Sequence, residues 1–99
     1  SPVEVSALRI IDDIAGEIDR EIAQMAQEIQ FAESVIQQIS DRRARDVLRY
    51  RYLNGWSWEK VSGAMCYNMR YVHKMHGQAL KEFETLADLK QLSKEETQQ

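Results

Sequence analysis

Apolar residues recur at helical spacing from Val3 to about Ile39: Leu8, Ile11, Ile14, Ile18, Ile22, Met25, Ile29, Ala32, Ile36 and Ile39. The pattern predicts one long amphipathic helix. From Ile22 onward the steps alternate between three and four, as in a heptad seam. Ile14, Ile18 and Ile22 follow by two steps of four, a stutter that locally relaxes a supercoil. Gly16 lowers helix propensity by roughly 1 kcal/mol against Ala and marks a kink or a close helix contact. At 1.5 Å per residue the seam is roughly 50 Å long, more than a few short helices cover. A second copy is the simplest cover, so a homodimer through this helix is expected. The alternative is that the helix folds back on the rest of the chain.

A second helix is expected from Asp41, a good N-cap, to Leu53, with Val47, Leu48 and Tyr52 facing a core. Asn54-Gly55 ends it, since both residues tolerate a left-handed backbone. Ser57 caps the next helix, Trp58 to Met65, with Glu59 in the first turn and Val61 and Met65 on one face. Cys66 and Tyr67 form a tight turn, and Asn68 caps a longer helix from Met69. On that helix Met69, Val72, His76, Ala79, Leu80 and Phe83 share one side. Arg70, Lys74, Gly77 and Lys81 share the other, flanked by Tyr71, His73 and Gln78. A short helix, a turn and a capped helix with one apolar and one basic face match the helix-turn-helix pattern, with a recognition helix at about residues 68–84. An ordinary amphipathic helix with a solvated face would have the same two sides. The helix continues through Leu86, Leu89 and Leu92. Residues 93–99 are polar and expected to fray. No useful run alternates with period two, so the fold expected is all-α, with units at 1–40, 41–92 and 93–99.

The run V-L-R-Y-R-Y-L-N-G-W-S-W-E-K-V, Val47 to Val61, resembles region four, the promoter-reading C-terminal domain of bacterial sigma factors. The continuation Y-N-M-R-Y-V-H-K-M-H-G-Q-A-L is similar to phage late-transcription regulators of the ArpU/RinA-like type, which also carry an acidic helical segment ahead of the motif. The likeness covers Asp41 to Phe83 firmly and the N-terminal half loosely. It departs at Ala64-Met65-Cys66-Tyr67, which lacks the common Leu-Gly, and at Asn68, where Ser is more usual. The resemblance implies a transcription regulator that touches double-stranded DNA, with RNA polymerase as a further candidate partner, in the nucleoid of a bacterial host. It also implies that Trp58 is the more buried of the two tryptophans. A protein-interaction module that binds RNA polymerase or another protein without reading DNA is the competing function.

Charge sharpens the picture. Residues 1–40 carry eight acidic and two basic side chains, a net of −6, whereas residues 41–82 carry nine basic and four acidic, a net of +5. Residues 83–99 return to −2. Phosphate neutralisation supplies most sequence-independent affinity for DNA, so only the middle is suited to approach it. Within it, Arg70 and Lys74, with Gln78 and Tyr71, are expected to face the major groove just after the cap Asn68, and His73 borders that face. Arginine reads guanine in a bidentate manner. Gly77 would let the helix backbone come close to DNA. Lys81 and Arg51 are expected phosphate contacts. Five arginines lie between Arg42 and Arg51; some are expected to meet phosphate and others to pair with the acidic N-terminal helix.

Other chemistry is weakly represented. Cys66, His73 and His76 are the only soft ligands and no fourth lies nearby, so no metal is expected. His76, on the apolar side, is expected to be a hydrogen-bonded structural histidine. The four glycines are too scattered for a phosphate loop, and Cys66 has no orienting acid for nucleophilic work. No enzyme and no cofactor are expected. A lone cysteine fits the reducing cytoplasm, and no apolar run is long enough for a membrane span.

Overall fold

A computed structural model describes residues 1–98. Its elements are α1 (Pro2–Ile36), α2 (Arg42–Leu48) continued by a π-helical turn (Arg49–Leu53), α3 (Trp58–Met65) and α4 (Met69–Gln98). The protein is all-α, and no strand occurs among the described residues. It divides into two compact units, residues 1–30 and the residues from Phe31 onward.

The first unit is the bulk of α1. Gly16 does not interrupt the helix. Leu8, Ile11, Ile14, Ile18, Ile22, Met25 and Ile29 are all exposed.

The second unit holds the core: Ile36, Ile39, Ala44, Val47, Leu48, Val61, Val72, Met75 and Ala79. It starts with the last turns of α1. The long helix ends at Ile36 rather than near residue 40, and a turn at residues 37–38 carries Ile39 into the core. Asp41 caps α2 by accepting from the Arg43 N–H at 2.9 Å. The expected continuous helix to Leu53 instead widens after Leu48, where the Asn54 N–H reaches the Arg49 carbonyl at 2.9 Å. Gly55, at φ 69°, then reverses the chain and lets the Trp56 N–H bond the Tyr50 carbonyl at 3.0 Å. That left-handed backbone is the one the Asn-Gly pair is built for.

The widened turn changes which side chains point inward. Tyr52, expected in the core, is exposed, and its hydroxyl meets His76 Nε2 at 2.6 Å. On α4 the buried line is Val72, Met75 and Ala79. It is rotated from the expected stripe: Met75 is in and Leu80 is partly out, because α4 packs chiefly against α2. α4 continues past Leu86 and Leu89 as expected, and it stays helical to Gln98 where fraying from Ser93 was expected; Gln99 lies outside the described residues. Contacts with the end of α1 support the extension. Lys90 Nζ donates to Ser34 Oγ at 2.6 Å, and half-buried Leu86 packs on the core.

Candidate nucleic-acid interface

The geometry begins at two caps. Ser57 Oγ accepts from the Lys60 N–H at 3.2 Å and opens α3. Asn68 Oδ1 accepts from the Tyr71 N–H at 2.9 Å and opens α4. Between them Cys66 sits at φ 60°, a left-handed conformation for a side chain with a Cβ. Such a residue costs on the order of 1–2 kcal/mol of strain. A glycine would take this backbone without that cost; here the residue is Cys66. The turn is held by the Ser62 hydroxyl donating to the Tyr67 carbonyl and by the Tyr67 N–H on the Ser62 carbonyl.

On α4, Arg70, Lys74, Gly77, Gln78 and Lys81 are exposed on one outward face. Among the described residues none of Arg70, Lys74 and Lys81 is in an ion pair. A Cβ built on Gly77 would meet nothing within 4 Å, so the helix backbone is open there. Asn68 is exposed but spends its side-chain oxygen on the cap. Tyr71 is half-buried, packed on Tyr67 at 4.9 Å, and its hydroxyl accepts from Arg43 Nη1 at 3.4 Å. His73 is exposed yet lies against the Trp58 ring at 4.5 Å, on the side of α4 nearer α3. Five of the nine expected interface residues thus share one outward face, Tyr71 and His73 flank it in contact with Tyr67 and Trp58, and Asn68 and Arg51 are engaged within the fold.

Arg51 is engaged elsewhere. Its Nη1 donates to the Trp56 carbonyl at 2.8 Å and its guanidinium lies 4.7 Å from the centre of the Trp58 ring. Both tryptophans are half-buried and sandwiched: Trp56 between Tyr50 at 4.6 Å and the Lys60 ammonium at 4.3 Å, Trp58 between Arg51 and the two histidines. His76 is held by Tyr52 and Trp58. Burial, then the charges of His73 and Arg51, lower its pKa below the ordinary imidazole value. A neutral ring with Nε2 accepting from the Tyr52 hydroxyl fits that environment.

The arginine run divides by the same test. Arg45 donates to the Ile39 and Ser40 carbonyls at 2.6 and 3.0 Å, holding the turn after α1. Arg49 pairs with Glu33 of α1 at 3.0 Å, so the expected pairing with the acidic helix occurs at this point within one chain. Arg42 pairs with Asp46 at 3.8 Å and Arg43 with Asp41 at 3.5 Å, yet both are exposed and line an open groove with Tyr50, Met65 and Tyr67. Arg43 was legible only as one of five; what singles it out is Tyr71, which ties it to the first turn of α4.

Among the described residues no helix is long and apolar enough to cross a membrane. Nor does any cluster of three His, Cys, Asp or Glu stand ready for a metal. No family model matches the chain, and neither a curated protein nor a solved structure matches it.

Proposed function

We propose that this protein is a DNA-binding transcription regulator whose α4 enters the major groove by its N-terminal half. The observation that carries the reading is the outward face of α4: Arg70, Lys74, Gln78 and Lys81, exposed, with the three cations in no ion pair among the described residues and the backbone open at Gly77. Such a face offers bidentate and single donors to base edges and cations to phosphate. Arg42 and Arg43, beside the start of α4, supply further phosphate contacts in place of Arg51. Sigma-like promoter reading rests on the resemblance alone. A homodimer through the N-terminal helix completes the reading, because paired domains bind paired half-sites.

The test is binding to duplexes selected from random pools, followed by single substitutions. Arg70→Ala is expected to weaken the selected site by about 1–3 kcal/mol while leaving random DNA nearly unchanged. Lys81→Ala and Arg43→Ala are expected to weaken both alike and to lower the salt slope. An Arg70→Ala chain with an unchanged ratio of specific to random binding would remove α4 as the reading helix.

One observation favours a second reading, a module that binds RNA polymerase or another protein. Ala32, Leu48, Tyr52, Leu80 and Phe83 line an apolar groove of about 300 Å³. On this reading no duplex, selected or random, binds at low salt.

A further inference from the structure

The exposed part of α1 carries a heptad register more regular than its isoleucines alone suggest. Passing through Ala15 instead of Ile14 removes the stutter. Leu8, Ala15, Ile22 and Ile29 then occupy the a positions, and Ile11, Ile18, Met25 and Ala32 the d positions. The steps alternate between three and four without a break, which is the condition for a continuous left-handed pair. From Leu8 to Ile29 each of these side chains is exposed.

The flanks of the stripe are acidic or apolar and never basic. Position e holds Val5, Asp12, Asp19, Ala26 and Glu33; position g holds Ala7, Ile14, Glu21 and Glu28. The basic residues of the segment, Arg9 and Arg20, lie on the outer positions b and f. Flank charges set the orientation in which two helices tolerate one another. In a parallel pair in register, each g residue meets the e residue five positions on in the other chain. The contacts are Ala7 with Asp12, Ile14 with Asp19, Glu21 with Ala26 and Glu28 with Glu33. Three of the four join an acid to an apolar residue. The fourth joins two acids, also twice by symmetry, but there each Glu33 is ion-paired with Arg49 of its own chain at 3.0 Å.

Antiparallel pairing fails the same test. Contacts then run e to e and g to g. The register that sets Leu8 opposite Met25 of the partner subunit brings Asp12 against Asp19 of the partner subunit, twice by symmetry. Sliding by one heptad brings Asp19 and Glu21 each against their own copies in one direction, and Asp12 against its own copy with a shorter overlap in the other. We propose that residues 8–29 of two copies pair as a parallel, in-register coiled coil, which rests on the homodimer reading and specifies its geometry. Isoleucine at d, at positions 11 and 18, favours a third strand, but Ala15 and Ala32 would leave voids along the wider axis of three helices. Both chains then enter their C-terminal units from the same end of the pair.

Engineered disulfides test the geometry. In a Cys66→Ser background, which removes the exposed native thiol, Leu8→Cys and Met25→Cys chains are prepared separately, mixed and equilibrated in a glutathione redox buffer. A disulfide needs Cα atoms about 5.5 Å apart. In the parallel pair residue 8 meets residue 8, whereas in the antiparallel pair it lies roughly 25 Å from its own copy and beside residue 25. The expected result is homodisulfides of each variant in at least about tenfold excess over the 8–25 disulfide. A dominant 8–25 disulfide overturns the parallel register and leaves the dimer standing. Ultracentrifugation of the Cys66→Ser chain at micromolar concentration is expected to give twice 11.6 kDa. A single-chain mass overturns dimer and register together, and a threefold mass overturns the pair. Neither outcome touches the DNA assay.

Discussion

Isoleucines on one helical register meet opposite fates along this chain. Ile22 is 61% exposed, while Ile36, two heptads on, is 3% exposed and Ile39 1%. The residue type is the same, and so is the spacing that makes a helix face. Ile36 and Ile39 pack in one core with residues of α2, α3 and α4, whereas Ile22 is exposed. Periodicity therefore states that a face must be buried and leaves open what buries it. Each exposed isoleucine forgoes roughly 1.5–3 kcal/mol available from full burial. Repeated from Leu8 to Ile29, that burial is what the proposed pairing would supply along one stripe.

The sharpest way to break the comparison is to truncate one isoleucine of each kind. Ile39→Ala is expected to cost about 2–5 kcal/mol of folding stability, since a fully buried position loses transfer energy and leaves a cavity. Denaturant unfolding of the second unit, monitored by tryptophan fluorescence, measures it. The cost is expected to be independent of protein concentration.

Ile22→Asp acts on the other half. It is expected to leave the core's unfolding midpoint in dilute solution unchanged and to weaken self-association by about a hundredfold, or roughly 3 kcal/mol. Sedimentation across a concentration series reads this directly. An Ile22→Asp chain that unfolds like Ile39→Ala would mean that the seam is covered within the chain.

Arg49→Ala probes the junction of the two regimes. The Arg49–Glu33 pair is about one-third exposed on each side, so its loss is expected to cost only about 0.5–1 kcal/mol of core stability. In the parallel pair it also uncovers the Glu28–Glu33 repulsion, so association weakens as well, and more so at low salt. Salt titration of the dimerisation constant for wild type and Arg49→Ala separates the two effects.

The smallest effect is a pH dependence confined to the second unit, since both histidines lie there. An unfolded chain protonates His76 near pH 6.5. The folded chain, whose His76 pKa is lowered by burial and by the charges of His73 and Arg51, protonates it only at more acidic pH. Between those values the unfolded state holds more protons, so stability falls as pH is lowered through about 6.5 and is fully present above it. His76→Asn is expected to flatten that slope. An unchanged slope would exclude His76 as its source.

Much of the helix layout was legible because caps and turns are local chemistry. Asp41, Ser57 and Asn68 open helices as their side-chain oxygens predict, and Gly55 takes the left-handed backbone that an Asn-Gly pair invites. The outward positions of Arg70, Lys74, Gln78 and Lys81 followed from 3.6-residue periodicity. Tyr52 and Leu80 were expected inward and are exposed, and Met75 went unassigned, for one shared reason. Sequence periodicity assumes an ideal helix turning against nothing. The π turn after Leu48 rotates Tyr52 outward, and packing against α2 selects Met75 over Leu80. The partners of Arg51 and Arg43, the Trp56 carbonyl and the Tyr71 hydroxyl, were not legible because they are set by the folded chain.

The sequence by itself determined the helical class, the caps, the polarity of each face and the charge division between an acidic first segment and a basic middle. These depend on neighbours within about one turn of the backbone, or on composition alone. Tertiary structure decided which arginines are spent on the fold, where α4 ends and which isoleucines are covered. Those outcomes depend on contacts between residues far apart in the chain, such as Lys90 with Ser34 and Arg49 with Glu33. A one-dimensional pattern carries no record of such distances until the chain has folded.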